Sequence, residues 1–194
     1  MYKTVYLKKG KEESLGRFHP WVFSGAIHHI DGRPEEGDVV RVVNADGRFL
    51  AVGHIQIGSI AVRVLSFEDI IIGKSFWEER LNAAYNVRKS IFNSQLASSL
   101  QDNTQQTNAF RLVHGEGDGL PGLVIDIYNR TAVMQAHSVG MHVSRRDIAD
   151  ALAKVLDGIV DNIYYKSETT LAYKASEDGG NGFLKGNLAS ADDI

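Results

Sequence analysis

The sequence predicts an α+β protein in two units: a small β-barrel or compact sheet over residues 1–70, then an α+β unit over 71–170, with 171–194 as linker or tail. Three observations carry this. Short apolar runs separated by turn residues fill the first 67 positions; a helix-opening signature follows at Ser75 and Glu78; and a second set of apolar runs is then followed by another helical pattern and one more strand.

The bulk numbers support folding. With 43% hydrophobic and 23% charged residues over 194 positions, there is enough apolar material for two small cores. No cysteine is present, which removes disulfides, thiolate nucleophiles and cysteine-based metal sites from consideration within these residues and suits a reducing cytoplasm. No run approaches the apolar length of a membrane span, and the N-terminus lacks a signal-peptide core, so a cytoplasmic location is expected. The net charge of -3 argues against a general nucleic-acid coat. Residues 1–25 nevertheless hold five Lys/Arg against two Glu, so one region is locally basic.

In the first unit, strands are predicted at 4–8, 27–30, 38–43, 49–55 and 60–65, with Asp46-Gly47 as a hairpin signal. Alternation in the last strand places Ile60, Val62 and Val64 on one continuous apolar face, opposite Ala61, Arg63 and Leu65.

In the second unit, Ser75 as cap with Glu78 three residues on predicts a helix, along which Trp77, Leu81, Ala84, Ile91 and Phe92 form a core-facing stripe to about Leu96. The polar stretch 94–108 reads as an exposed loop. Strands at 110–114, 123–128 and 132–137 form an antiparallel meander turning at Asn129-Arg130. A second helix capped by Ser144, with Ile148, Leu152 and Val155 on one face, stops at Gly158, and a strand at 162–166 follows. The expected layer is thus an antiparallel sheet covered on one face by two helices. The glycine- and acid-rich stretch at 177–182 and the ending Ala191-Asp192-Asp193-Ile194 read as a linker.

Gly117-Asp118-Gly119-Leu120-Pro121-Gly122 matches G-x-G-x-x-G, a cofactor-binding pattern, but the pattern works only where a helix opens at its last glycine. Here the strand-like Leu123-Val124-Ile125-Asp126-Ile127-Tyr128 follows, and Glu116 and Asp118 put negative charge where phosphate would sit. A tight connection is expected, with glycines at positive φ, Pro121 fixing a turn and Asp118 structural. Of the seven histidines, His28 and His29 point to opposite faces of a strand, and His137 and His142 lack a carboxylate at ligand spacing, so no metal site is predicted.

The segment Arg17-Phe18-His19-Pro20-Trp21-Val22-Phe23-Ser24-Gly25-Ala26-Ile27 interleaves a cation, an imidazole and aromatics beside Lys8-Lys9. Cations meet phosphates and planar rings stack on unpaired bases, so the segment suits RNA. Trp21 and Phe23 are themselves expected to pack inside the barrel, with Pro20 setting a turn.

This segment, with Gly37-Asp38-Val39-Val40 and the 60–65 strand, resembles a PUA domain, a small pseudo-barrel of RNA-modifying enzymes, over residues 1 to about 70. The run from Arg111 to Asp126 resembles the middle domain of bacterial class I methyltransferases that modify cytosine C5 in large-subunit ribosomal RNA. The resemblance implies a C-terminal Rossmann-like domain that binds S-adenosylmethionine and supplies a cysteine nucleophile. Neither that domain nor a Cys is found in the 194 residues, so the chain is expected to be inactive alone, with no catalytic or cofactor residue of its own. Ribosomal RNA is the implied partner, with contacts near Lys8, Lys9, Arg17, His19 and Ser24, and the Gly115–Gly122 loop as a surface for the catalytic domain. A stand-alone PUA-type adaptor is the alternative; a pseudouridine synthase suits the first 70 residues only. The target nucleotide and the oligomeric state, a homo-oligomer included, stay open.

Overall fold

The computed structural model describes residues 2–102, 108–171 and 180–187, with 92–102 as backbone only. The 103–107 part of the polar stretch, most of the linker segment, the ending at 191–194 and the Phe92 and Leu96 side chains lie outside the described residues.

The first unit holds β1 (Lys3–Leu7), the short helix α1 (Glu13–Gly16), β2 (Trp21–Phe23), β3 (Ile27–Asp31), β4 (Val39–Val43), β5 (Phe49–Ile55) and β6 (Ile60–Ser66). Its sheet runs β2-β6-β5-β4-β1-β3, with β1 parallel to β4 and every other pair antiparallel. The outermost strands β2 and β3 are joined by only Ser24–Ala26. Strands spaced about 4.8 Å apart would hold the edges of a flat six-stranded sheet roughly 24 Å from each other, whereas three residues span roughly 10 Å. The sheet must therefore curl so that the end of β2 and the start of β3 come together. Two strap bonds support this: Ser24 N–H to Ser59 O and Lys8 N–H to Ala26 O, both 2.9 Å. Val5, Leu7, Val22, Val40, Val42, Ala51, Val62 and Val64 fill the interior.

The second unit holds α2 (Lys74–Asp102), β7 (Ala109–His114), β8 (Leu123–Tyr128), β9 (Thr131–Ala136), α3 (Val139–Val143), α4 (Arg145–Val155), β10 (Asn162–Tyr165) and β11 (Gly182–Lys185). The order is β11-β10-β9-β8-β7. The meander β7-β8-β9 is antiparallel as expected, turning at Asn129, whose φ is +50°. The expectation of a wholly antiparallel sheet is corrected, because β10 runs parallel to β9. Parallel neighbours need a crossover, and α3 and α4 provide it. The 171–194 segment contributes β11, antiparallel to β10, a strand with no legible signal in the sequence. Trp77, Leu81 and Ala84 of α2, Ile148 and Leu152 of α4, and Leu123, Ile125 and Ile127 of β8 share one core.

Three further expectations change. The Trp77 N–H bonds Gly73 O, so Gly73 occupies the cap position and Ser75 lies inside α2. Helix α2 continues to Asp102 through what was expected to be loop, and Ile91, expected on the core stripe, is about half exposed. Ser144 does sit at the start of α4, but its hydroxyl makes no cap bond; Ser138, heading α3, accepts from Met141 N–H instead.

Strand β6 belongs to both cores. Val62 and Val64 face the first interior, while Leu65 packs into the second. The two units are further bound by Arg80 Nη2 to Leu65 O (3.2 Å) and Ile72 N–H to the Tyr2 hydroxyl (2.8 Å).

Candidate nucleic-acid interface

Strand β2 decides which rings reach solvent. Successive strand residues point to opposite faces, and Val22 is the one buried in the core. Trp21 is therefore half-buried at the surface and Phe23 is 48% exposed. The expectation that both rings pack inside the barrel is overturned by this register. His19 joins them: its ring lies 5.6 Å from Trp21 and 6.1 Å from Phe23, and its Nδ1 accepts from Trp21 N–H. Phe18 adds a fourth ring, 72% exposed and resting edge-on against Phe67. Its φ of +60° belongs to the turn that ends α1, where the Phe18 N–H bonds Leu15 O.

Lys8 Nζ donates to Gly25 O, the residue after Ser24, at 2.8 Å. Lys9 is exposed, and Arg17 is exposed with Glu13 Oε2 3.9 Å away, a solvated pair that leaves the guanidinium accessible. His19 stands with the rings, and Arg17 precedes them in the chain.

Residues that sequence reasoning did not single out complete the surface. Arg63 lies directly across from Trp21 in the β2/β6 pairing. It lines a cleft of about 230 Å³ with His114, Gly115, Glu116, Gly122, Leu123, Val124 and His137. Burial disfavours the Arg63 charge, an effect that the nearby Glu116 carboxylate opposes. Arg63 carried a signal, being the lone charge in an apolar strand. His114 carried none and His137 was weighed only as a metal ligand with His142, because His114 and His137 meet only through the fold of the second sheet.

The Gly115–Gly122 connection is the tight turn expected, with Gly115, Gly119 and Gly122 at positive φ and β8 directly after it. Asp118 is structural: it accepts from both Nη1 and Nη2 of Arg88, the latter at 2.8 Å, and from His114 N–H. Glu116 Oε1 accepts from Trp21 Nε1 at 2.8 Å, so the loop is tied to the first unit. A strand, β8, and not a helix follows the last glycine of the G-x-G-x-x-G match, and Glu116 and Asp118 are both engaged in hydrogen bonds within the protein.

His54, on β5, is buried beneath α3. Its Nε2 is 3.5 Å from Ser144 Oγ, its Nδ1 has no hydrogen-bond partner, and its ring stacks on Trp77. Burial pushes its pKa down from 6.5 to about 4. A depressed imidazole pKa means that the unfolded chain takes up the proton first, so stability is complete above pH 6.5 and falls as the pH drops towards about 4. That loss is about 3 kcal/mol. Asp38, held below the usual carboxylate range by its hydrogen bond from Lys3, titrates lower and does not share the window. Urea titrations across this range should show the slope for the native protein and a flatter profile for His54→Phe; equal slopes would remove His54 as the cause.

Residues 5–67 match the PUA-like domain family. The fold is therefore α+β with a PUA-like domain at its front. Over nearly all its length the chain is similar to proteins named ribosomal RNA large subunit methyltransferase I: 32% identical over 189 residues to that of Vibrio vulnificus strain CMCP6, covering 97% of this chain and 45% of the relative. The protein of the same name from Pseudoalteromonas translucida strain TAC 125 is 34% identical over 193 residues, covering 98% and 46%. A structure described as a SAM-dependent methyltransferase from Streptococcus mutans superposes with a TM-score of 0.72 at 17% identity, over 96% of this chain and 44% of that one. The chain thus spans about half the length of the curated relatives it matches. Among the described residues, no helix is long and apolar enough to cross a membrane.

Proposed function

We propose that this chain is the RNA-recognising part of a cytoplasmic, S-adenosylmethionine-dependent methyltransferase acting on cytosine C5 of large-subunit ribosomal RNA. In this reading residues 1–70 are the RNA-binding unit, 71–170 together with the 182–185 strand the middle unit, and the rest of 171–194 the connection towards a catalytic domain. The thiolate and cofactor site would lie on that domain, since these 194 residues include no Cys. Lys8, Lys9, Arg17 and Ser24 meet phosphate and sugar, and His19 contributes to stacking. The observation that carries the reading is the outward set His19, Trp21 and Phe23, flanked by exposed cations on a PUA-like domain. Three aromatic rings at a surface cost solvation unless something flat covers them, and unpaired bases are flat.

Fluorescence anisotropy with a large-subunit ribosomal RNA fragment provides the test. Affinity should fall with salt at a slope set by the few phosphates contacted. Trp21→Ala should weaken binding about tenfold, the value of one stacked base. Salt-insensitive or absent binding at low ionic strength overturns the RNA role; Trp21→Ala binding like wild type removes the aromatic set from it.

A further inference from the structure

We propose that the cleft between Arg63 and the 114–116 and 137 positions holds a single unpaired nucleotide of the bound RNA, so that both units grip the strand. This rests on the RNA reading above and names a second half for its site.

The lining chemistry favours a base edge over bare phosphate. An all-cationic cleft would suit a phosphate, but here Arg63, Glu116, His114 and His137 line the same volume, with His114 Nδ1 already 3.3 Å from Arg111 Nη1. Such a mixture supplies donors and acceptors together, which is what the edge of a splayed base presents. Arg63 has donors to give. A guanidinium carries five N–H groups, and the side chain makes one long bond, to Gln56 Oε1 at 3.4 Å. Burial works against its charge, so an acceptor from a ligand would recover what desolvation takes.

Glu116 fixes the entrance. Its Oε1 holds the Trp21 Nε1–H at 2.8 Å, anchoring the ring beside the cleft that Glu116 lines. A strand stacking one base on Trp21 would bring the neighbouring base to Arg63, the cross-strand partner of that residue. The far wall is equally fixed. His137 N–H bonds Gly122 O at 2.8 Å and His114 N–H bonds Asp118, so both imidazoles stand on a hydrogen-bonded frame. The volume of about 230 Å³ is on the scale of one base.

The test compares a single-stranded RNA dodecamer with the same sequence annealed to its complement, using the whole chain. Wild type should prefer the single strand about a hundredfold, and Arg63→Met and His137→Ala should each reduce that preference about tenfold, the stacking on Trp21 keeping the rest, while duplex binding stays. His137 is exposed, so its variant folds even if the Arg63 change disturbs β6. If both variants keep the single-strand preference, the cleft does not hold a base. Equal weakening on both RNAs means attraction to phosphate alone, which also overturns the proposal. If wild type binds neither RNA, the RNA reading itself falls and this one with it; binding with unchanged preference in the variants sinks the cleft only.

Discussion

Gly140→Ala is expected to cost about 3 kcal/mol, lowering the melting temperature by roughly 6–12 °C. Gly140 lies in α3, and a Cβ added there would come inside 3 Å of the Cβ, Cγ and Nδ1 of His54. Neither side can give. His54 is 2% exposed and stacked on Trp77, and Ser144 N–H bonds Gly140 O within the α3–α4 corner. Overpacking a rigid contact forces backbone shifts, and here the backbone that shifts is the junction of the two units. Gly37 seats on the same helix, beside Val139 and Val143, so the displacement would spread along the junction. Circular dichroism melts measure the loss. In a His54→Gly background, where all three obstructing atoms are gone, the added cost of Gly140→Ala should shrink sharply; a fully additive double mutant would show that the clash is not the cause.

Much of this fold was legible in the sequence because its signals were local. The strand at 49–55 with its Asp46-Gly47 turn, the alternating run at 123–128 and the glycine stop at Gly158 announce themselves within a few residues, and the structure places them there. What was missed depended on distant partners. Strand β2 has three residues and exists through its pairing with β6, so the outward direction of Trp21 and Phe23 could not be read from an aromatic-rich run. The parallel β9/β10 pair and strand β11 follow from how α3 and α4 return the chain. The candidate site divided in the same way: Lys8, Arg17 and His19 stood in one basic, aromatic stretch, whereas His114 and His137 are 23 positions apart and meet only because β8 and β9 lie between them.

Arg88→Ala is expected to destabilise the protein by about 3–5 kcal/mol and to weaken RNA binding as a consequence. The pair it breaks is the best buried of the salt bridges among the described residues: the Asp118 side chain is 8% exposed and the Arg88 side chain 18%. A carboxylate so placed, deprived of a two-pronged guanidinium, keeps only the His114 N–H and has little water to replace the loss. The functional effect follows from the chain's geometry. Arg88 pins Asp118, Asp118 holds the start of the Gly115–Gly122 connection, and Glu116 in that connection ties down Trp21. Releasing one end should loosen the ring at the other. Urea denaturation and anisotropy on the same variant would measure both effects. Arg88→Lys cannot restore the bidentate geometry and should recover little, whereas Arg88→Met with Asp118→Asn removes both charges and should regain stability relative to Arg88→Ala. If Arg88→Ala loses stability but binds RNA as wild type does, the Gly115–Gly122 connection holds the fold without positioning Trp21, and the link between the two units is structural alone.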